Sequence, residues 1–275
     1  MKNLFLFLFL LVVFTSKAQD NRVSGLNSRQ FTKYWKVESE SPDYKVTFQG
    51  DTAEIVSPKG LTLWRKEKMS GKVTIEYDAC VVVESDGDRL SDLNCFWMAS
   101  DPQYPDNLWK REKWRSGIFL NCYSLQLYYL GYGGNHNSTT RFRRYDGDES
   151  GITNPKARPA ILKEYTDAGH LLKPNHWYHI KITNENNRVS YYIDGERLVD
   201  FRDAEPLREG WFGFRTTLSR TRITNFSYEC SSQEAAAVPL QWIGETPRQD
   251  KAVSFGVPFD KGEVFPENKI GRAHV

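Results

Sequence analysis

The chain is written largely in period two. Residues 72–83, KVTIEYDACVVV, set Val73, Ile75, Tyr77, Ala79 and Val81 against Thr74, Glu76, Asp78 and Cys80, and residues 176–183, HWYHIKIT, set Tyr178, Ile180 and Ile182 against Trp177, His179 and Lys181. Successive side chains of a strand point to opposite faces, so this alternation makes a ribbon with one apolar and one wet face. DYKVTFQG, TAEIVSP, LNCFWMAS, SGIFLNCY, LQLYYLGYG, TTRFRRY, RVSYYIDGERLVDF, GWFGFRT and RITNFSYE read the same way, with turn clusters such as DGD, NENN and DGE between them. No stretch before Glu229 sustains a helical period. Half-buried strands must hide their apolar faces against a second sheet, which predicts an all-β, two-sheet antiparallel sandwich.

The amino terminus is of another kind. Lys2 precedes an apolar run over residues 4–14, and Ser16 and Ala18 put small residues where a signal peptidase reads. Residues 1–19 are therefore expected to be a signal peptide, the run being shorter than the roughly 20 residues of a membrane-spanning helix. Cleavage after Ala18 or Gln19 leaves no cysteine for a lipid anchor, so a periplasmic or extracellular protein without membrane insertion is expected. A net charge of +2 over 275 residues gives no global field for nucleic acid. Cys80, Cys95, Cys122 and Cys230 either form two disulfides or lie as buried thiols, and their spacing matches no metal motif.

Residues 175–201, NHWYHIKITNENNRVSYYIDGERLVDF, and 210–229, GWFGFRTTLSRTRITNFSYE, carry a further pattern. A strand opening with Trp leads through a turn to a strand ending in Asp-Gly, and a Gly-aromatic-Gly strand precedes the last one. This resembles the closing half of concanavalin-like lectin/glucanase jelly rolls. The resemblance runs roughly from Trp35 to Cys230 and implies a jelly-roll domain over residues 20–230. LNCFWMASDP with YYLGYGGNHNSTTRFRRYDG resembles a narrower family of secreted bacterial domains of unassigned activity that accompany polysaccharide-degrading enzymes. Composition shifts at SSQEAAAVP, residues 231–239, which reads as a linker. Beyond it, Trp242, Phe255, Gly256, Val257, Pro258, Lys261 and Gly262 resemble the opening of exo-rhamnogalacturonan-lyase-type enzymes, implying the start of a lyase-like β domain over residues 240–269. The final IGRAHV, residues 270–275, resembles a translated sequencing adapter, so a truncated gene with its enzyme domain missing is expected.

Strand parity nominates a site. In residues 139–147 Thr139, Arg141, Arg143 and Tyr145 share one side, and Thr140, Phe142 and Arg144 the other. A guanidinium matches a carboxylate bidentately, so Arg141 and Arg143 make either a clamp for an acidic sugar or a solvated strand face. Arg215 shares its side with Trp211, as a sugar-stacking platform or the edge of a core. In residues 91–102 Asp92, Asn94, Phe96 and Met98 alternate with Leu93, Cys95, Trp97 and Ala99; Asn94 is either a hydroxyl-binding residue or part of an exposed strand start. Gly131, Gly133 and Gly134 bend the chain so that Tyr129 and Tyr132 face Arg141 and Arg143, with Asn135 and His136 at the tip. His136 has the chemistry to take a sugar proton, whereas His170, His176 and His179 read as structural. Trp109 and Trp114, among Lys110, Arg111, Lys113 and Arg115, are either a basic-aromatic surface or anchors of a solvated loop.

Asp86, Asp88, Asp146, Asp148 and Glu149 offer oxygen ligands for a structural calcium, outside the spacing of the twelve-residue calcium loop. No other cofactor is expected. A carboxylate-pair glycosidase is disfavoured, because no Glu-x-Asp-x-x-Glu strand occurs. Two functions stand. In one, the jelly roll holds an acidic, uronate-containing, rhamnogalacturonan-like polysaccharide beside an enzyme domain. In the other it is itself a polysaccharide lyase eliminating at a uronate, with His136 or Tyr132 taking the proton. A lyase needs His or Tyr converging with Arg and Asn in one cleft.

Overall fold

The computed structural model describes residues 23–231. The expected signal peptide, the lyase-like segment, the terminal six residues and all of the linker but Ser231 lie outside them. Sixteen strands form within the described residues: β1 (Val23–Ser24), β2 (Trp35–Ser39), β3 (Lys45–Gln49), β4 (Thr52–Ser57), β5 (Leu61–Arg65), β6 (Met69–Ser70), β7 (Lys72–Val81), β8 (Leu93–Ser100), β9 (Gln126–Gly133), β10 (Thr139–Asp146), β11 (Lys163–Tyr165), β12 (Tyr178–Glu185), β13 (Arg188–Ile193), β14 (Glu196–Arg202), β15 (Glu209–Thr216) and β16 (Ser219–Ser231). Sheet A runs β14-β13-β12-β7-β16-β4-β3 with β1 beside β16; sheet B runs β11-β10-β9-β8-β15-β5-β2 with β6 beside β15. Every pairing is antiparallel. Among the described residues no helix is long and apolar enough to cross a membrane.

The alternation in the sequence becomes the core. Val73, Ile75, Tyr77 and Ala79 of β7 and Tyr178, Ile180 and Ile182 of β12 are buried, while the residues between them reach the outside. They meet Leu63, Cys95, Trp97, Leu130, Phe142 and Phe212 of sheet B. Each large side chain so buried stabilises the sandwich by about 1.5–3 kcal/mol. Trp35 stacks on Phe214 with ring centres 5.5 Å apart, tying β2 into this layer.

Sheet B carries a second apolar layer on its outer face. Trp64, Phe96, Tyr129, Tyr145 and Trp211 are covered there by Leu108, Cys122, Tyr123 and Leu125 from the excursion between β8 and β9. Residues 116–123, expected as a strand, instead form helical turns, including Leu120–Ser124. Their backbone bonds close locally, Cys122 N donating to Phe119 O and Leu125 N to Cys122 O, both at 3.0 Å. The segment lies across a sheet face rather than along an edge, so it has no ladder to join. Arg115 of this excursion is fully buried; its Nη2 donates to Glu38 Oε2 at 3.0 Å and to Leu108 O at 2.7 Å. The stretch read as either a basic-aromatic surface or a solvated loop is thus pinned to β2 by a buried ion pair.

Two further readings are settled here. The four cysteines are thiols, with Cys80, Cys95 and Cys122 buried and Cys230 half-buried. Burial pushes the Cys95 and Cys122 thiols up to about 12. In β8 the parity breaks at Met98, whose φ of 52° makes a bulge. Met98 therefore joins Cys95 and Trp97 in the inter-sheet core and Ala99 turns outward, the reverse of strict alternation.

Candidate functional site

One row of side chains crosses sheet B from edge to edge. Glu38 stands opposite Thr62, Thr62 opposite Arg215, Arg215 opposite Asn94, Asn94 opposite Gly131, Gly131 opposite Arg141, and Arg141 opposite Glu164. The adjacent row, Trp64, Gly213, Phe96, Tyr129 and Arg143, is aromatic. A pocket of about 350 Å³ opens where the two rows meet, within the range of about 300–1,000 Å³ usual for ligand sites. Seven of the residues nominated from sequence line it: Asn94, Tyr129, Asn135, His136, Arg141, Arg143 and Arg215.

The floor depends on a glycine. A Cβ on Gly131 would lie 2.3 Å from Tyr129 Oη, so the tyrosine lies along its own strand and fills that space with its hydroxyl. The hydroxyl thus sits in the polar row between Asn94 and Arg141. Burial pushes its phenol well above the ordinary range, and Arg215 and Arg143 pull the other way. Asn94 is 7% exposed; its Nδ2 donates to Asp92 Oδ1 at 3.2 Å, and its Oδ1 is buried without a hydrogen-bond partner.

The pocket is bordered by cations of two kinds. Arg89 Nη1 donates to Asp92 Oδ2 at 2.7 Å, and Arg141 pairs across strands with Glu164. Arg143 donates to the carbonyl of Pro159. Arg215, 3% exposed, donates from Nη1 to Gly117 O at 2.5 Å and Thr62 Oγ1 at 3.3 Å, with its guanidinium over the Phe119 ring. Among the described residues neither Arg143 nor Arg215 has a carboxylate partner within ion-pair distance. Four arginines against Glu40 and Asp92 leave the lining positive.

A left-handed turn carries His136 to the rim. Asn135, His136 and Asn137 have φ of 51°, 57° and 58°, a region that asparagine tolerates and most residues avoid. Asn137 holds the turn from outside: Nδ2 donates to Leu172 O at 2.9 Å and Oδ1 accepts from Leu172 N at 2.8 Å. His136 itself is exposed.

Two nominated residues lie elsewhere. Tyr132 is three positions from Tyr129 and so faces the opposite way; its ring meets Tyr178 edge-on at 5.1 Å and its hydroxyl donates to Leu171 O. Trp211 shares the outer face of sheet B with Arg215 as expected, but it is buried under the excursion against Trp109, with Nε1 donating to Lys66 O. Sequence reasoning missed Glu40, Arg89, Phe119, Tyr123 and Thr217. They come from turns and from the excursion, where strand parity nominates nothing.

Four of the five acidic residues considered for calcium are engaged locally. Asp88 Oδ2 accepts from the backbone N of Glu84 and Ser85, Asp148 Oδ1 from Ser150 N, Glu149 pairs with Arg111 and Asp146 with Arg144. Among the described residues no three metal-binding side chains gather.

Comparison with solved structures places the sandwich among galectin-like jelly rolls. A Bacillus subtilis protein of unknown function with a galectin-like fold superposes with a TM-score of 0.57 at 15% identity, covering 74% of this chain and 91% of that one. The exoplasmic/lumenal domain of VIP36, in its Ca2+/Man3GlcNAc-bound form, superposes with a TM-score of 0.50 at 8% identity, covering 80% and 91%. No curated protein matches the sequence. The model of the PcRGLX-like N-terminal RIFT barrel domain matches residues 236–274, beyond the described residues. The model of DUF6250, a domain of unknown function, matches residues 55–226, which take in every strand from β5 to β15 and most of β16, and the chain belongs to that family.

Proposed function

We propose that the pocket on the outer face of sheet B binds an acidic, uronate-containing polysaccharide, and that the domain is a saccharide-binding module of a secreted polysaccharide-degrading protein. The observation that carries this reading is a pair of arginines, Arg143 and Arg215, without carboxylate partners beside the half-satisfied amide of Asn94. Arginine forks match carboxylates bidentately. The saccharide in the VIP36 structure supports a glycan as the ligand class. The match to the PcRGLX-like barrel supports a rhamnogalacturonan-like substrate for the protein as a whole.

A second reading is favoured by the convergence of His136 and Tyr129 with Asn94 and the arginines in one pocket. In it the domain is a polysaccharide lyase. An arginine neutralises the uronate carboxylate, His136 takes the C5 proton, and the electron pair forms the C4–C5 double bond as the C4–O bond breaks. Tyr129, kept protonated by burial, gives its proton to the departing oxygen. Titration of the full chain with rhamnogalacturonan and polygalacturonate, with ultraviolet absorbance followed in parallel, tests both. Binding without new absorbance supports the module, absorbance from unsaturated uronate supports the lyase, and the absence of binding overturns both.

A further inference from the structure

The polar row that crosses the pocket is covered unevenly. Thr62 is fully buried, Arg215 is 3% and Asn94 7% exposed, whereas further across the sheet the side chains of Arg141 and Glu164 are 29% and 36% exposed. The pocket is therefore deep at β15 and shallow toward β10 and β11.

At the deep end the backbone closes it. Gly117 of the excursion lies against the turn after β2: a Cβ there would lie 2.7 Å from Glu40 N and from Ser39 Cα, and one on Gly60 would strike Glu40, Arg215 and Gly117 together. Arg215 holds this seam, its Nη1 donating to Gly117 O at 2.5 Å. Both flanks of the deep end are walled. On one, Arg89 bridges from the segment before β8 to the turn after β15, Nη1 donating to Asp92 Oδ2 at 2.7 Å and to Thr217 O at 2.8 Å. On the other, the Phe119 ring lies 5.6 Å from both the Arg215 guanidinium and the Tyr129 ring, with Tyr123 beyond it. Toward β10 the lining ends in the half-exposed side chains of Arg141 and Arg143.

A polysaccharide threaded through a site needs two exits, and this pocket has one. Resting on the acidic-glycan reading, we infer that the pocket takes the end of a polysaccharide, with the terminal sugar at Arg215 and the rest leaving over Arg141 and Arg143. A terminal sugar keeps free the hydroxyl that an internal one loses to its glycosidic bond, and the Glu40 carboxylate at the seam is an acceptor for it. Calorimetric titration with polygalacturonate and with debranched rhamnogalacturonan, each as intact polymer and as size-selected fragments, counts the protein molecules bound per saccharide. One per saccharide is expected at every length. A count that rises in proportion to length overturns end-binding and leaves the acidic-glycan reading standing. Fragments altered at both termini, the non-reducing residue unsaturated and the reducing one taken to the alditol by borohydride, should bind at least tenfold more weakly than unaltered fragments of equal length. Unchanged affinity overturns the inference. If ultraviolet absorbance shows elimination, end-binding requires a single short product from the first turnovers, and products of mixed length overturn it. Binding to none of the ligands removes the acidic-glycan reading as well.

Discussion

The two outer faces of the sandwich are both charged, and they use charge in opposite ways. On sheet A several cations are answered where they stand: Lys181 by Glu76 at 3.1 Å, Arg188 by Asp200 at 2.6 Å, and Arg220 and Arg222 by Glu54 at 2.9 and 2.7 Å. The depression there, about 610 Å³, is the larger of the two. Arg188 and Arg197 on its lining both reach Asp200, and Lys72 reaches Glu185. On sheet B an apolar layer and the excursion cover most of the face, and in the smaller pocket beside them Arg143 and Arg215 donate to carbonyl and hydroxyl oxygens but, among the described residues, have no carboxylate at ion-pair distance. Size of a concavity therefore says less about a ligand than charge left without a partner.

The contrast is open to attack, first through stability. Arg115→Ala removes a buried partner of Glu38 and should cost about 3–5 kcal/mol, whereas Arg188→Ala on sheet A should cost under about 1 kcal/mol. Urea unfolding measures both, and similar losses would erase the distinction between the faces. Gly131→Ala comes next. Its methyl would displace the Tyr129 hydroxyl, an overpacking cost of about 1–3 kcal/mol, and saccharide binding should fall with it. If affinity survives, the hydroxyl does not form the floor.

Arg141→Lys keeps the charge and loses the planar fork, so affinity for a uronate polysaccharide should fall about tenfold, on the order of 1.4 kcal/mol. The same change at Arg188 should leave binding unaltered. The smallest effect expected is a difference in pH response. Burial presses Glu54 upward, but hydrogen bonds from Arg220 and Arg222 prevail and hold its carboxyl below the ordinary value. Its contribution is complete above the unfolded value of about 4.3 and fades as pH falls through the lower folded value. Burial raises Glu38 above its ordinary 4.5 despite Arg115. Its contribution is complete below the unfolded value and is lost as pH rises through the folded one. Urea midpoints followed from pH 2 to 7 should show a shallower acid slope in Glu54→Gln and no such flattening in Glu38→Gln.

Much of this was legible in the sequence wherever a strand stayed regular. Parity put Arg141, Arg143 and Tyr145 on one side and Arg215 with Trp211, and the structure agrees. Parity also separates Tyr129 from Tyr132, which a picture of two tyrosines facing two arginines overrode. What was not legible depends on distant chain. The bulge at Met98 follows from pairing with β9 and β15, not from its own neighbours. Trp211 is unavailable because Trp109, a hundred residues earlier in sequence, lies against it, in a stretch that reads as a basic-aromatic surface or a solvated loop. Arg89 and Glu40 reach the pocket from turns whose direction no local pattern records.

Tyr129 and Gly131 belong to one strand and lie two positions apart, so the hydroxyl of the floor and the space it fills come from a segment of three residues, while Phe96, Phe119 and Tyr145 pack the ring. Ligand-binding surfaces on sheets are usually mosaics in which each strand contributes a tile, and a change in one strand spoils the pattern of the rest. Here the hydroxyl and its slot share one tile. Swapping β9 into the corresponding place of another sandwich would bring the hydroxyl along, and the strands on either side would then decide only which charges frame it. Diversification of such a domain toward new glycans can proceed at the frame while the floor stays as it is.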